Sequence, residues 1–151
     1  MHKPSSALVA AGLILAVGGG LATGAPAAEA PREHELRVGG PVSLAPGAHG
    51  AASLSIVPAP GRRIDGDAPL SLRLSVTPAA GVQLPRRRYA LADAADPRAE
   101  APRFDLALEG ATAGKYTLSV EARFWLCGAR SCRAVRDRVE IPVTVEAPAA
   151  P

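Results

Sequence analysis

The chain has 151 residues, enough for one ordinary domain and too few for two with linkers. Hydrophobic residues make up 48% but aromatics only 3%, so the core must be built from Leu, Val, Ile and Ala, with Phe104, Phe124, Tyr89, Tyr116 and Trp125 as its large pieces. Fifteen Gly and fifteen Pro exclude a long-helix bundle or coiled coil, because both residues break helices, and a formal net charge of +3 excludes disorder by charge repulsion.

The amino terminus reads as a targeting segment. Lys3 supplies a positive start, and Ala7 to Ala22 is apolar or Gly without a charge. Ala25-Pro26-Ala27 then gives the small-x-small pattern of a secretory signal peptide over residues 1–27, with cleavage after Ala27; Ala30 also satisfies the small-residue rule. The apolar stretch is shorter than the roughly 20 residues of a spanning helix, and nothing later is long and apolar enough to span a bilayer. The mature chain is therefore expected in the periplasm or outside the cell, without a transmembrane segment. Residues 28–34 read as a flexible lead-in and 147–151 as a disordered tail. Arg86-Arg87-Arg88 is the only basic run; elsewhere Arg alternates with Asp and Glu, which reads as a solvated surface and not as a nucleic-acid stripe.

Between these ends, residues 35–146 are dominated by period-two alternation. Weaker strands fall at 35–38, 42–44 and 53–57. Leu70, Leu72, Leu74 and Val76 alternate with polar residues, as do Phe104, Leu106 and Leu108. The longest run, Tyr116 to Leu126, places Leu118, Val120, Ala122 and Phe124 on one face, and Val139, Ile141, Val143 and Val145 close the series. Gly- and Pro-containing turns separate these segments. Residues 86–101 are irregular and allow a helical turn. Strands that each bury one face are satisfied by two antiparallel sheets packed face to face: an all-β, immunoglobulin-like sandwich in a single domain.

The last two strands carry a register. With Val120 opposite Val139, Leu118 faces Ile141, Tyr116 faces Val143 and Phe124 faces Val135. On the other face Glu121 meets Arg138, a favourable pair, while Arg123 meets Arg136. A one-residue slip would set a buried face against an exposed one. The same register, chosen without the cysteines, sets Cys127 directly opposite Cys132 across Gly128-Ala129-Arg130-Ser131.

An even cysteine count in an exported chain points to a disulfide. As a structural staple it is weak: closing so short a loop restrains the unfolded chain by about 2 kcal/mol. As a redox pair it is accessible at a hairpin tip. Arg130 and Arg133 flank Cys132, and cations lower a thiol's pKa and make its disulfide easier to reduce. Trp125 projects from the same face as Cys127 and serves either as ordinary packing or as a shield for the sulfurs. Both readings, redox pair and staple on a non-catalytic binding domain, stand on these residues. Two Cys are an incomplete metal site, and no metal or organic cofactor is implied. Asp65, Asp67, Asp93 and Asp96 read as turn residues.

The segment from Ala113-Gly114-Lys115-Tyr116 through Phe124-Trp125-Leu126-Cys127, the short loop and Cys132 resembles the amino-terminal periplasmic domain of the thiol–disulfide interchange protein DsbD. Pro60-Gly61-Arg62-Arg63-Ile64 and Gly81-Val82-Gln83-Leu84-Pro85 are similar to further segments of that family, so the likeness spans residues 35–146. It implies an immunoglobulin-like fold that accepts electrons from a membrane partner and passes them to periplasmic proteins of thioredoxin fold. It further implies Cys132 as the attacking cysteine, Cys127 as the resolving one, and a cap over the pair near Tyr89–Asp96, with Tyr89 as a shielding residue. The family's membrane electron-transfer segment has no counterpart here, so a separate membrane protein is the implied electron donor.

Overall fold

The computed structural model describes residue 24 and residues 31–149. Apart from Gly24, the expected signal peptide lies outside the described residues, as do the last two residues of the expected tail. The chain is an immunoglobulin-like β-sandwich. Its strands are β1 (His34–Val38), β2 (Val42–Leu44), β3 (His49–Pro58), β4 (Arg63–Ile64), β5 (Ser71–Thr77), β6 (Val82–Gln83), β7 (Arg88–Ala90), β8 (Arg103–Gly110), β9 (Gly114–Cys127) and β10 (Cys132–Val145). One sheet runs β1-β3-β8-β6. The other runs β2-β10-β9-β5-β7, with β4 pairing a further stretch of β9.

Alternation decides which side of each strand faces inward. Leu54 and Ile56 of β3 and Phe104 and Leu106 of β8 meet Leu72 of β5, Leu118, Val120 and Ala122 of β9, and Ile141 of β10, all fully enclosed. Each such aliphatic side chain contributes about 1.5–3 kcal/mol by leaving water. The sandwich thus holds together through aliphatic packing, as the scarcity of aromatics requires.

The β9–β10 register follows the alternation: Val120 faces Val139, Leu118 faces Ile141, Phe124 faces Val135 and Cys127 faces Cys132. Three features differ from expectation. First, the second sheet is not wholly antiparallel, because β2 runs parallel to β10. Glu146 N–H donates to the Leu44 carbonyl (2.8 Å), extending that pairing. Second, β4, β6 and β7 are additional two- and three-residue strands; the irregular stretch contains β7 and one 3-10 turn, Leu91–Asp93. Third, order starts earlier than the expected flexible segment allows, since His34 opens β1 and its Nε2 lies 2.7 Å from the Asp137 carboxylate on β10.

The outward pairing also departs from expectation. Glu121 lies opposite Arg138, yet its carboxylate accepts from Arg123 (2.9 Å) and Arg136 (2.8 Å). That arrangement places a negative charge between two arginines that would otherwise face each other uncompensated. Arg138 turns instead to the Ser119 hydroxyl at 2.9 Å.

Candidate functional site

The long hairpin ends in a disulfide joining Cys127 and Cys132, with Cα atoms 3.9 Å apart. Strand parity turns both residues outward, on the side that carries Trp125 and Arg123. Their environments nevertheless differ. Cys127 is 1% exposed, whereas Cys132 is exposed. The cover over Cys127 comes from β4 and its following turn. Arg63 pairs with Cys127 and Ile64 with Leu126, and the Asp65 N–H donates to the Trp125 carbonyl at 2.9 Å. This short strand forms because Ile64 supplies one inward apolar side chain after the Pro60-Gly61 turn. Gly61 takes the positive φ of 78° that the turn requires.

Asp65 is the residue the sequence did not bring forward. As expected of a turn residue, its Oδ1 accepts from the Asp67 N–H at 3.0 Å. In addition, a carboxylate oxygen of Asp65 and the two cysteine sulfurs lie within 4.8 Å of one another. With the sulfurs joined, this group offers no thiolate to a metal, and three ligands are one short of a closed zinc site.

An ionic latch lies on the other flank of the tip. Glu33 binds Arg62 at 3.0 Å and accepts from Arg133 Nε at 2.7 Å. Arg62 in turn lies across Gly128 in the hairpin loop, where a side chain would collide with its guanidinium. The Gly128 N–H donates to the Ser131 carbonyl (2.8 Å) and closes the loop. The Arg133 hydrogen bond, followed by the charges of Arg133, Arg62 and His34, holds the Glu33 carboxyl below its ordinary value. Of the two flanking arginines, Arg133 is therefore engaged with Glu33, while Arg130 is exposed and makes no ion pair among the described residues.

Trp125 is 41% exposed beside this site. Tyr89 is not a shield: it is 6% exposed, and its hydroxyl accepts from the Ala107 N–H on the opposite sheet at 3.0 Å. Through Leu72 it belongs to the Ala122 row, five residues along β9 from Cys127, about 17 Å away at strand spacing. The expected cap over the cysteine pair near Tyr89–Asp96 is likewise corrected. The segment against the sulfurs is β4 and Asp65, and residues 91–102 form the far wall of a groove of about 590 Å³ beside it. That groove is lined by Ile64, Asp67, Leu91, Pro97 and Pro102. Within residues 86–101, Asp93 accepts from the Ala90 N–H (2.7 Å) and Asp96 from the Arg98 N–H (2.9 Å), the turn chemistry their spacing implied.

No protein-family model and no curated protein matches this chain. Among solved structures the chain is similar to AggA, the major subunit of aggregative adherence fimbriae type I from Escherichia coli. The identity is 12% and the TM-score 0.37, over 74% of this chain and 93% of that one, a likeness that carries no inference about function.

Proposed function

We propose that the chain is a thiol–disulfide exchange module whose working group is the Cys127–Cys132 pair. The observation that carries this reading is the asymmetry of the pair: a covered sulfur-bearing residue directly opposite an exposed one, at the end of a hairpin paired along its whole length. Exchange needs one sulfur an external thiol can reach and a second that stays in place to resolve the intermediate. A staple would add more by joining strands not already neighbours. The likeness of this hairpin to the amino-terminal domain of DsbD supports the same reading.

In the reduced state Cys132, as thiolate, attacks one sulfur of a partner's disulfide. A mixed disulfide forms, and the partner's departing sulfur takes a proton. Cys127 then gives up its proton and attacks the Cys132 sulfur. The 127–132 bond re-forms, the partner leaves as a dithiol, and two electrons have moved to it. A membrane-bound dithiol reverses these steps to reduce the pair again. Partners of thioredoxin fold would enter over the groove between Ile64 and Pro97. Arg130 and Arg133 favour the thiolate of Cys132, while the Asp65 carboxylate opposes it. A disulfide of this kind fits an oxidising compartment, periplasmic or extracellular, in keeping with the expected signal peptide. Among the described residues no helix is long and apolar enough to cross a membrane.

Trapping tests the roles. Incubated with an oxidised thioredoxin-fold protein, reduced Cys127→Ser should accumulate a mixed disulfide through Cys132, and reduced Cys132→Ser should not. Equal trapping by both variants, or none by either, would reject the assignment.

A further inference from the structure

Away from the disulfide tip, the outer face of the second sheet takes no part in exchange, yet it gathers a cluster of arginines. Register sets its side chains in rows. Arg88 on β7, Arg73 on β5, Glu121 on β9 and Arg138 on β10 form one row. Ser71, Arg123 and Arg136 form the next row toward the disulfide, and Ser75, Ser119 and Glu140 the next away from it. At strand spacings the five arginines share a patch of about 14 by 7 Å. Within these rows, five arginines against Glu121 and Glu140 leave a surplus of three positive charges. The sequence hides this, because Arg is mixed with acids along β9 and β10 and stands singly in β5 and β7, so the clustering arises only across strands.

The charges on this face are only partly satisfied. Glu121 serves both Arg123 and Arg136, and their hydrogen bonds, Arg136's first, hold its carboxyl below the usual range, so it stays an acceptor. Arg138 reaches Ser119 and, at 3.5 Å, Glu140. Arg73 and Arg88 make no ion pair among the described residues. Arg73, Arg123, Arg136 and Arg138 surround a shallow cavity of about 270 Å³. Glu121, Leu74 and the hydroxyl-bearing Ser75 and Ser119 complete its lining. Trp125, the one large exposed apolar side chain among the described residues, follows Arg123 on the same face.

Each feature restricts the ligand. Guanidinium forks bind carboxylate, sulfate or phosphate oxygens two at a time. Glu121 accepts only, and the exposed Ser75 hydroxyl can accept too, so hydroxyl donors on the same ligand would be matched. The exposed indole offers an apolar plane to a ring. A nucleic-acid strand fits less well, because such surfaces combine an all-basic groove with several stacking aromatics, and here one indole stands beside two carboxylates. A molecule with anionic groups, many hydroxyls and ring faces is an acidic carbohydrate. We propose that this face binds an acidic polysaccharide, holding its carboxylate or sulfate groups among Arg73, Arg123, Arg136 and Arg138 and stacking a sugar ring on Trp125.

Trp125 is the sole tryptophan, so its fluorescence reports directly on the site. The mature protein is titrated with heparin oligosaccharides (sulfated), oligogalacturonates (carboxylated), dextran oligosaccharides (neutral) and a charge-matched single-stranded oligonucleotide. The expected result is a saturable fluorescence change with at least one acidic sugar and none with dextran, weakened by salt; the preferred sugar names the anionic group. The double variant Arg73→Ser/Arg138→Ser, altered only at exposed outer positions, should bind at least tenfold more weakly. Trp125→Ala, followed by calorimetry, should lose several-fold where Trp125→Phe retains most of the affinity. Binding to the oligonucleotide as tight as to the acidic sugars, no binding to either acidic sugar, or undiminished affinity in the double arginine variant would overturn the proposal.

Discussion

The two ends of the β9–β10 hairpin are held by different physics. At the base, Leu118, Ile141, Val143 and Val145 are almost wholly enclosed, and the pairing is locked by apolar contact with the facing sheet. At the tip, Arg130, Ser131 and Cys132 are exposed, and what fixes the chain is one covalent bond, the Glu33–Arg62–Arg133 latch and the short pairing of β4. Burial of the first kind is indifferent to reductant and is not screened by salt. At the tip, the disulfide responds to reductant and the latch to salt. On the proposed function, a hairpin built this way should open and close its disulfide without disturbing the sandwich, as an exchange module requires.

Substitutions should separate the two ends by size of effect. Leu118→Ala, at the base and 0% exposed, should cost about 2–5 kcal/mol, read as a lower urea midpoint at unchanged slope. A loss below about 1 kcal/mol would mean that the inner face of β9 is not the anchor described. Replacing both cysteines by serine should cost about 2 kcal/mol or less and leave the circular dichroism spectrum unchanged. Loss of the fold would make the disulfide structural and erase the contrast between the ends.

Asp65→Asn probes the tip's chemistry. Removing a carboxylate from beside the sulfurs should lower the pKa of the accessible thiol in the reduced protein, so that thiolate absorbance appears at lower pH than in the wild type. An unchanged titration would show that Asp65 shapes the turn and does not tune the pair.

The smallest effect belongs to the latch. Because the folded state holds Glu33 below its ordinary value of 4.5, the latch adds stability at pH above that value and loses it as pH falls through the folded value. The stability difference between wild type and Glu33→Gln should thus be small and constant near neutrality and should close only as pH falls through the lowered value of the folded state. A gap that persisted at low pH would assign Glu33 a role other than its charge.

Much of this contrast was legible in the sequence because β9 and β10 are long. Fourteen-residue strands repeat their alternation often enough to fix the register and, through it, the disulfide. The short strands gave no such signal. Arg63–Ile64 holds a single apolar residue, and only its partners on β9 make it a strand; hence Asp65 could not be placed beside the sulfurs. Tyr89 was misplaced because the resemblance implied a cap near Tyr89–Asp96, whereas β7 turns its ring into the core. The latch was invisible for a simpler reason: Glu33 and Arg133 are a hundred residues apart and meet only in the folded chain. Outer-face charge followed the same pattern, since the register was readable but the choice of Arg136 over Arg138 as the partner of Glu121 was not.

The most direct test of the central claim is the reduction potential of the Cys127–Cys132 pair in the mature protein, equilibrated in glutathione buffers and read by thiol alkylation. The account predicts a value between about −180 and −270 mV, the range of working exchange proteins, with the fold intact in both states. A value below about −300 mV, or unfolding on reduction, would mark the disulfide as an inert staple and contradict the account.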